Sequence, residues 1–151
     1  MSDPPSLPLQ LGPYTEAELP RITTLLATHR HHWPTVWALQ GLLGAGKTTF
    51  TRALVAALGG NPANVSSPTY SLINTYGLPA GEQVHHMDFY RLEHPEEAAA
   101  LGLEEYFAGP GLCLVEWPER IAQLFPESFL HLRFSTPETG CRLLEIHWQA
   151  I

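Results

Sequence analysis

Basic side chains are scarce in this chain. Of its 151 residues, eight are Lys or Arg against fifteen Asp or Glu, a formal net charge of -7. A surface that grips a nucleic-acid backbone unaided needs clustered Lys and Arg, so direct binding of that kind is disfavoured, and RNA, if involved, is expected to be held by a partner. Cysteine is almost absent too. Cys113, in an apolar segment, and Cys141 form neither a disulfide framework nor a metal pattern, and they read as reduced thiols of a cytosolic protein, with Cys113 in the core. There is no basic-then-apolar leader and no apolar run of about 18 residues, which disfavours export and membrane spanning. The expectation is a soluble, cytoplasmic protein. No internal repeat or low-complexity segment is evident.

Against these absences stand 44% hydrophobic and 15% charged residues, enough apolar material for a real core. We expect one domain over 1–151, with residues 1–13 loose or laid on a sheet edge, since Pro4, Pro5, Pro8 and Pro13 discourage an inner strand. The sole lysine, Lys47, lies in the stretch from Gly41 to Thr48, which matches G-x-x-x-x-G-K-[ST]. Thr35–Gln40, rich in β-formers between Pro34 and Gly41, reads as a buried strand ahead of it. Phe50, Ala53, Leu54, Ala57 and Leu58 give the following segment a helical spacing that Gly59-Gly60 closes.

That context gives each residue type a chemical reason. Gly41, Gly44 and Gly46 allow a loop whose N–H groups turn inward, and the helix start adds its positive end. The expected nucleotide cradle is Gly41, Gly44, Ala45, Gly46, Lys47, Thr48 and Thr49. In it Lys47 reaches the β- and γ-phosphates and Thr48 ligates Mg²⁺. A chain whose only lysine is Lys47 cannot supply the Asn-Lys-x-Asp element of guanine-specific P-loop proteins, so ATP is favoured.

Along the rest of the chain, Thr15–Glu18 reads as a capping box opening a helix to about Arg30, with Leu19, Ile22, Leu25 and Leu26 on one face. His29, His31 and His32 read as its solvated end. Thr69–Tyr76 and Val84–Phe89 predict an antiparallel hairpin, which makes the sheet mixed. Pro95 opens a helix through about Phe107, and Leu112–Val115 is an apolar run of the kind buried on both faces. A short helix follows Pro118, and Phe129–Phe134 and Arg142–Trp148 are the last strands.

Two carboxylates stand out. Glu116 closes the apolar run at Leu112–Val115 and resembles a Walker B residue that holds Mg²⁺ opposite Thr48. Asp88 is the only aspartate besides Asp3, and it precedes Tyr90-Arg91, which marks it as a site residue; His85 and His86 beside it read as strand residues. Thr69 sits where a switch loop could sense the γ-phosphate. Trp117, next to Glu116, should lie on the opposite side of the strand and emerge half-exposed where Pro118 ends the ladder.

The stretches GLLGAGKTTF (Gly41 to Phe50), SSPTYSLINTY (Ser66 to Tyr76), HMDFYRL (His86 to Leu92), PEEAAALGLEEYF (Pro95 to Phe107) and CLVEWPER (Cys113 to Arg120) together resemble the TsaE family. The resemblance covers roughly residues 7–148. It implies a three-layer α/β, P-loop NTPase-like fold with a mixed, mainly parallel central sheet, and a Mg-dependent ATPase needed for threonylcarbamoyladenosine formation in tRNA. It also implies action on TsaD and TsaB partners rather than on tRNA itself, Mg²⁺ at Thr48 and Glu116, and important roles for Asp88 and Trp117. Lys47, Asp88 and Glu116 are the expected catalytic residues, and Thr69 and Trp117 the expected switch or partner contacts. One departure is Leu42, where the family usually has Asp. Two rivals stand beside this reading: a small-molecule kinase, disfavoured because Arg91, Arg120, Arg133 and Arg142 are scattered in sequence, and a nucleotide-dependent adaptor that hardly hydrolyses ATP.

Overall fold

The apolar runs form the middle of a seven-stranded sheet. A computed structural model describes residues 3–42 and 44–150, so Leu43 of the glycine-rich loop lies outside the described residues. The strands are β1 (Leu9–Tyr14), β2 (Val36–Gln40), β3 (Ile73–Gly77), β4 (Gln83–Asp88), β5 (Leu112–Glu116), β6 (Ser128–Ser135) and β7 (Arg142–Ala150), in the spatial order β1-β7-β6-β2-β5-β4-β3. Pairings β6/β2, β2/β5 and β5/β4 are parallel, whereas β3/β4, β6/β7 and β1/β7 are antiparallel. Only β3 and β7 therefore run against the others. This is the mixed, mainly parallel sheet of a P-loop NTPase-like α/β fold.

Strand alternation sorts the core into two faces. Trp37 and Leu39 of β2, Leu112 and Leu114 of β5 and Val84 of β4 join one cluster, which the helices α1 (Leu19–His29) and α2 (Lys47–Ala57) cover with Ile22, Leu26, Phe50 and Leu54. Val36, Cys113, Val115 and Met87 join the other, under Ala98 of α3 (Pro95–Ala99), Leu103 of α4 (Leu103–Ala108) and Ile121 of a 3-10 segment at Pro118–Leu124. Three layers result. The proline-rich start supplies the edge strand β1, paired to β7 in the register Leu9↔Ile146.

Several local readings change. The helix expected over Pro95–Phe107 is two short ones, because Gly102 adopts φ 73° and interrupts it. The hairpin forms with Tyr76 opposite Val84, but β3 begins only at Ile73. Thr69 is thereby left in a loop, which closes by the Leu72 N–H donating to the Pro68 carbonyl at 2.7 Å. His29 is buried rather than solvated, since it continues the stripe Ile22, Leu26 at helical spacing, while His31 and His32 are exposed. Among the described residues no group of three His, Cys, Asp or Glu could hold a metal ion by itself, and no helix is long and apolar enough to cross a membrane.

Burial in the centre of β5 pushes the Cys113 thiol up to about 12, whereas Cys141 is half-buried near the start of β7. Thiolate is the nucleophile, so native protein treated with a thiol reagent at pH 8 should label rapidly at Cys141 only, and Cys113 should react after unfolding. Equal labelling rates of the two thiols in the native state would contradict this core.

Candidate functional site at the strand ends

The loop after β2 owes its shape to two glycines. A Cβ at Gly41 would lie 2.9 Å from the Phe134 carbonyl of β6, so the loop can leave the sheet only with a hydrogen in that place. Gly46 caps α2 with φ 99°, a left-handed conformation that a side chain disfavours. The first bond of the helix runs from the Phe50 N–H to the Gly46 carbonyl. Those of Lys47, Thr48 and Thr49 have no helical partner and are available as donors at the positive end of α2.

Strands β2, β5 and β4 are neighbours and parallel, so their C-terminal ends deliver the glycine-rich loop, Glu116 and Asp88 to one edge of the sheet. Asp88 stands directly opposite Glu116. A cleft of about 240 Å³ is lined by Gly44, Gly46, Lys47, Thr48, Thr49, Thr69, Asp88, Glu116 and Arg142, among others. Lys47 is 5% exposed and Asp88 and Glu116 are each 4% exposed. Burial lowers the pKa of Lys47, and the charges of Glu116, Asp88 and Glu119 work in the opposite direction. The Lys47 ammonium donates to the Gly41 carbonyl at 2.6 Å and lies 4.6 Å from the centre of the Trp117 ring.

Each carboxylate is held by named partners. Asp88 Oδ2 accepts from the Thr69 hydroxyl at 2.9 Å and Oδ1 from the Tyr90 N–H at 2.9 Å, and Ser67 Oγ lies 2.7 Å from Thr69 Oγ1. Glu116 Oε2 is 2.5 Å from His86 Nε2. No other hydrogen bond reaches the Glu116 carboxylate among the described residues, and Glu116 lines the cleft. A hydroxyl and two carboxylates form an all-oxygen donor set, the chemistry that suits a hard divalent cation.

Of the residues singled out from the sequence, all line this cleft except Gly41, Ala45 and Trp117; Gly41 meets it only through its carbonyl, which holds the Lys47 ammonium. Ala45 is buried beneath the loop, its side chain against Gly41 rather than in the cleft. Trp117 is half-buried, packed against the cluster on the far face from Glu116 as alternation implies, but its backbone has turned to φ 57°, ψ 51°. That turn carries the ring over Lys47 and to 5.0 Å from the Tyr90 ring. Leu42 is 80% exposed on the loop.

Two further residues escaped the sequence reading. Arg142, counted among scattered arginines, comes from β7 and donates from Nη2 to the Gly44 carbonyl at 3.3 Å. Sequence separation hid it; the antiparallel return of β7 beside β6 brings it to the loop. His86, read as a strand residue, contacts Glu116, and the period-2 placement of His86 and Asp88 on one strand was the available signal.

Residues 14–143 match the sequence model of a family described as "Threonylcarbamoyl adenosine biosynthesis protein TsaE". The chain belongs to the TsaE family. It is 44% identical over 90 residues to the tRNA threonylcarbamoyladenosine biosynthesis protein TsaE of Haemophilus influenzae, an alignment covering 60% of this chain and 56% of that protein. To the Bacillus subtilis protein of the same name it is 45% identical over 100 residues, covering 64% of this chain and 59% of the relative. This chain thus matches just over half the length of each. Its structure is similar to the crystal structure of Bacillus subtilis YdiB, with a TM-score of 0.73 at 30% identity over 95% of this chain and 86% of that one. The TsaE relatives carry tRNA threonylcarbamoyladenosine biosynthesis in their names, and the P-loop NTPase-like fold suggests a nucleotide-binding role.

The hydroxyl of Thr69 is the side-chain link from its loop to Asp88. Thr69→Val should speed amide exchange across residues 66–72 while lowering stability by only about 1 kcal/mol, the usual net worth of one hydrogen bond. Exchange rates unchanged from wild type would mean that the backbone alone orders this loop.

Proposed function

We propose that this TsaE-family chain binds ATP with Mg²⁺ and hydrolyses it in support of threonylcarbamoyladenosine formation in tRNA, acting on TsaD and TsaB partners rather than modifying tRNA itself. The observation that carries this reading is the joint burial of Lys47, Asp88 and Glu116 in one cleft at the N-terminal end of α2. Gly41, Gly44, Ala45, Gly46, Lys47, Thr48 and Thr49 form the phosphate cradle, in which Ala45 supports the loop from below. Thr48 and Glu116 hold the cation. Bound Mg²⁺ would supply neutralisation of charge on the β- and γ-phosphate oxygens.

The remaining roles belong to this chain's own groups. Lys47 binds phosphate oxygens as a compact charge that burial has partly stripped of water. Asp88 holds the Thr69 loop against the cleft, so that loop order and nucleotide state are coupled, or it orients the attacking water. Trp117 lies over Lys47 with an exposed portion and passes the state of the cradle to a partner surface. The net charge of -7 fits a protein that reaches tRNA only through its partners.

A second reading, phosphoryl transfer to a small acceptor, gains from one observation. Arg142 stands at the phosphate loop after all, and a cavity of about 350 Å³ flanks the loop at Gly41, Trp117 and Arg133. ADP release that begins only when a small metabolite is added would favour that reading over the TsaE role.

Mg-ATP should raise the stability of wild type by about 2.7 kcal/mol at a hundredfold excess over the dissociation constant, and Lys47→Ala should lose most of that gain while staying folded. An equal gain in the variant, followed by thermal melts, would overturn the cradle. ATP turnover should be slow for the chain alone and rise when TsaD and TsaB are present. Trp117→Ala should keep most of its Mg-ATP stabilisation yet fail to support tRNA threonylcarbamoylation in a reconstituted system; modification at the wild-type rate would return Trp117 to a packing role.

A further inference from the structure

His86 is fully buried next to the cleft, at 0% exposure, and it belongs to neither the cradle nor the carboxylate pair. Its position follows from register. Tyr76 on β3 is paired with Val84 on β4, and His86 is two residues further along the same face; His86 is paired with Leu114 on β5, and Glu116 is again two residues further. Such diagonal neighbours are within reach of long side chains. The sheet thereby builds an oblique row from the edge strand to the cleft: Tyr76, His86, Glu116.

The row is continuous in hydrogen bonds. Glu116 Oε2 is 2.5 Å from His86 Nε2, His86 Nδ1 is 3.2 Å from the Tyr76 hydroxyl, and that hydroxyl is 3.2 Å from the Ser66 carbonyl and 3.4 Å from the Ser66 nitrogen. All three side chains are buried, and no buried side-chain nitrogen or oxygen among the described residues lacks a partner. One pattern satisfies the row with a neutral imidazole. The Ser66 N–H donates to the Tyr76 oxygen, the Tyr76 O–H donates to Nδ1, and Nε2–H donates to Glu116.

Tyr76 has a single hydroxyl proton, and the Ser66 carbonyl competes for it at the same 3.2 Å. If the Tyr76 hydroxyl donates to the Ser66 carbonyl instead, Nδ1 loses its donor, and the imidazole that aims Nε2–H at Glu116 loses its anchor. Ser66 opens the Ser66–Thr69 loop, whose other end is tied to Asp88. The loop is therefore connected to both carboxylates, through Thr69 to one and through Tyr76 and His86 to the other.

We propose that His86 is the positioning residue of Glu116, fixing one carboxylate oxygen so that the other faces the cation, and that Tyr76 makes this dependent on the Ser66–Thr69 loop. The proposal rests on the reading of Glu116 as a cation ligand and names the partner that orients it. Outer partners of metal ligands commonly shift metal affinity by about 10- to 100-fold when removed.

The test is a Mg²⁺ titration of ADP binding, with ADP affinity also measured in chelator, for wild type, Glu116→Gln, His86→Leu, His86→Gln and Tyr76→Phe. His86→Leu should raise the Mg²⁺ concentration at half effect by about tenfold or more while leaving ADP affinity in chelator unchanged. His86→Gln, whose amide offers a donor where Nε2 stood, should recover most of the loss. Tyr76→Phe should give a smaller shift together with faster amide exchange at residues 66–69. His86→Leu and Tyr76→Phe curves that coincide with wild type would overturn the proposal, and if His86→Leu does not fold, Tyr76→Phe, which removes one oxygen, decides alone. Wild type that binds no Mg-nucleotide, or Glu116→Gln that titrates as wild type does, would instead overturn the reading of Glu116 on which the proposal rests.

Discussion

One ammonium and two carboxylates are withdrawn from water together at the edge of a parallel sheet. Any one of Lys47, Asp88 and Glu116, buried alone, would cost several kcal/mol of lost hydration. Their mutual attraction offsets part of that cost, and hydrogen bonds from Thr69, Tyr90 N–H and His86 offset more. The rest of the architecture depends on keeping these groups at fixed separations. Strands β2, β5 and β4 must be adjacent, parallel and in register at their C-terminal ends, and the apolar clusters on both faces hold them so.

Groups around the cleft come from distant parts of the chain and are tied to the charged centre or to the loop beside it. Thr69 from the loop before β3 bonds Asp88, Arg142 from β7 bonds the Gly44 carbonyl, and Trp117 beyond β5 lies over Lys47. Thr69 and Trp117 thus touch the charged centre directly, and Arg142 touches the loop that carries Lys47. On the proposed reading, this is how a small nucleotide-binding chain of the TsaE family could signal to larger partners. Exposed apolar side chains at Leu42 and Tyr70 lie on segments that border the same cleft, so the surface near the nucleotide also offers apolar contact area.

Much of this was legible in the chain itself, because it is written in local chemistry. The glycines around Lys47, the unbroken apolar run Leu112–Val115 and the two β-forming segments of the β3/β4 hairpin each report on backbone conformation within a few residues. Two local readings nevertheless failed. Gly102 split the helix that Pro95 was expected to open as far as Phe107, and His29, placed among solvent-facing histidines, is covered because the stripe of α1 runs on to it.

The sequence by itself determined the strand–loop–helix around Lys47, the two-faced burial of the central strand and the family to which the chain belongs. These rest on residue types at short spacing, where steric and hydrogen-bonding preferences act without help. Only the tertiary structure decided which side chains meet. Strand order brought Glu116 opposite Asp88, register made the oblique row Tyr76, His86, Glu116, and the return of β7 carried Arg142 across 98 residues to Gly44. Pairing between strands is a contest among non-local contacts, settled by how all the apolar faces bury at once, and no short stretch of the chain contains that information.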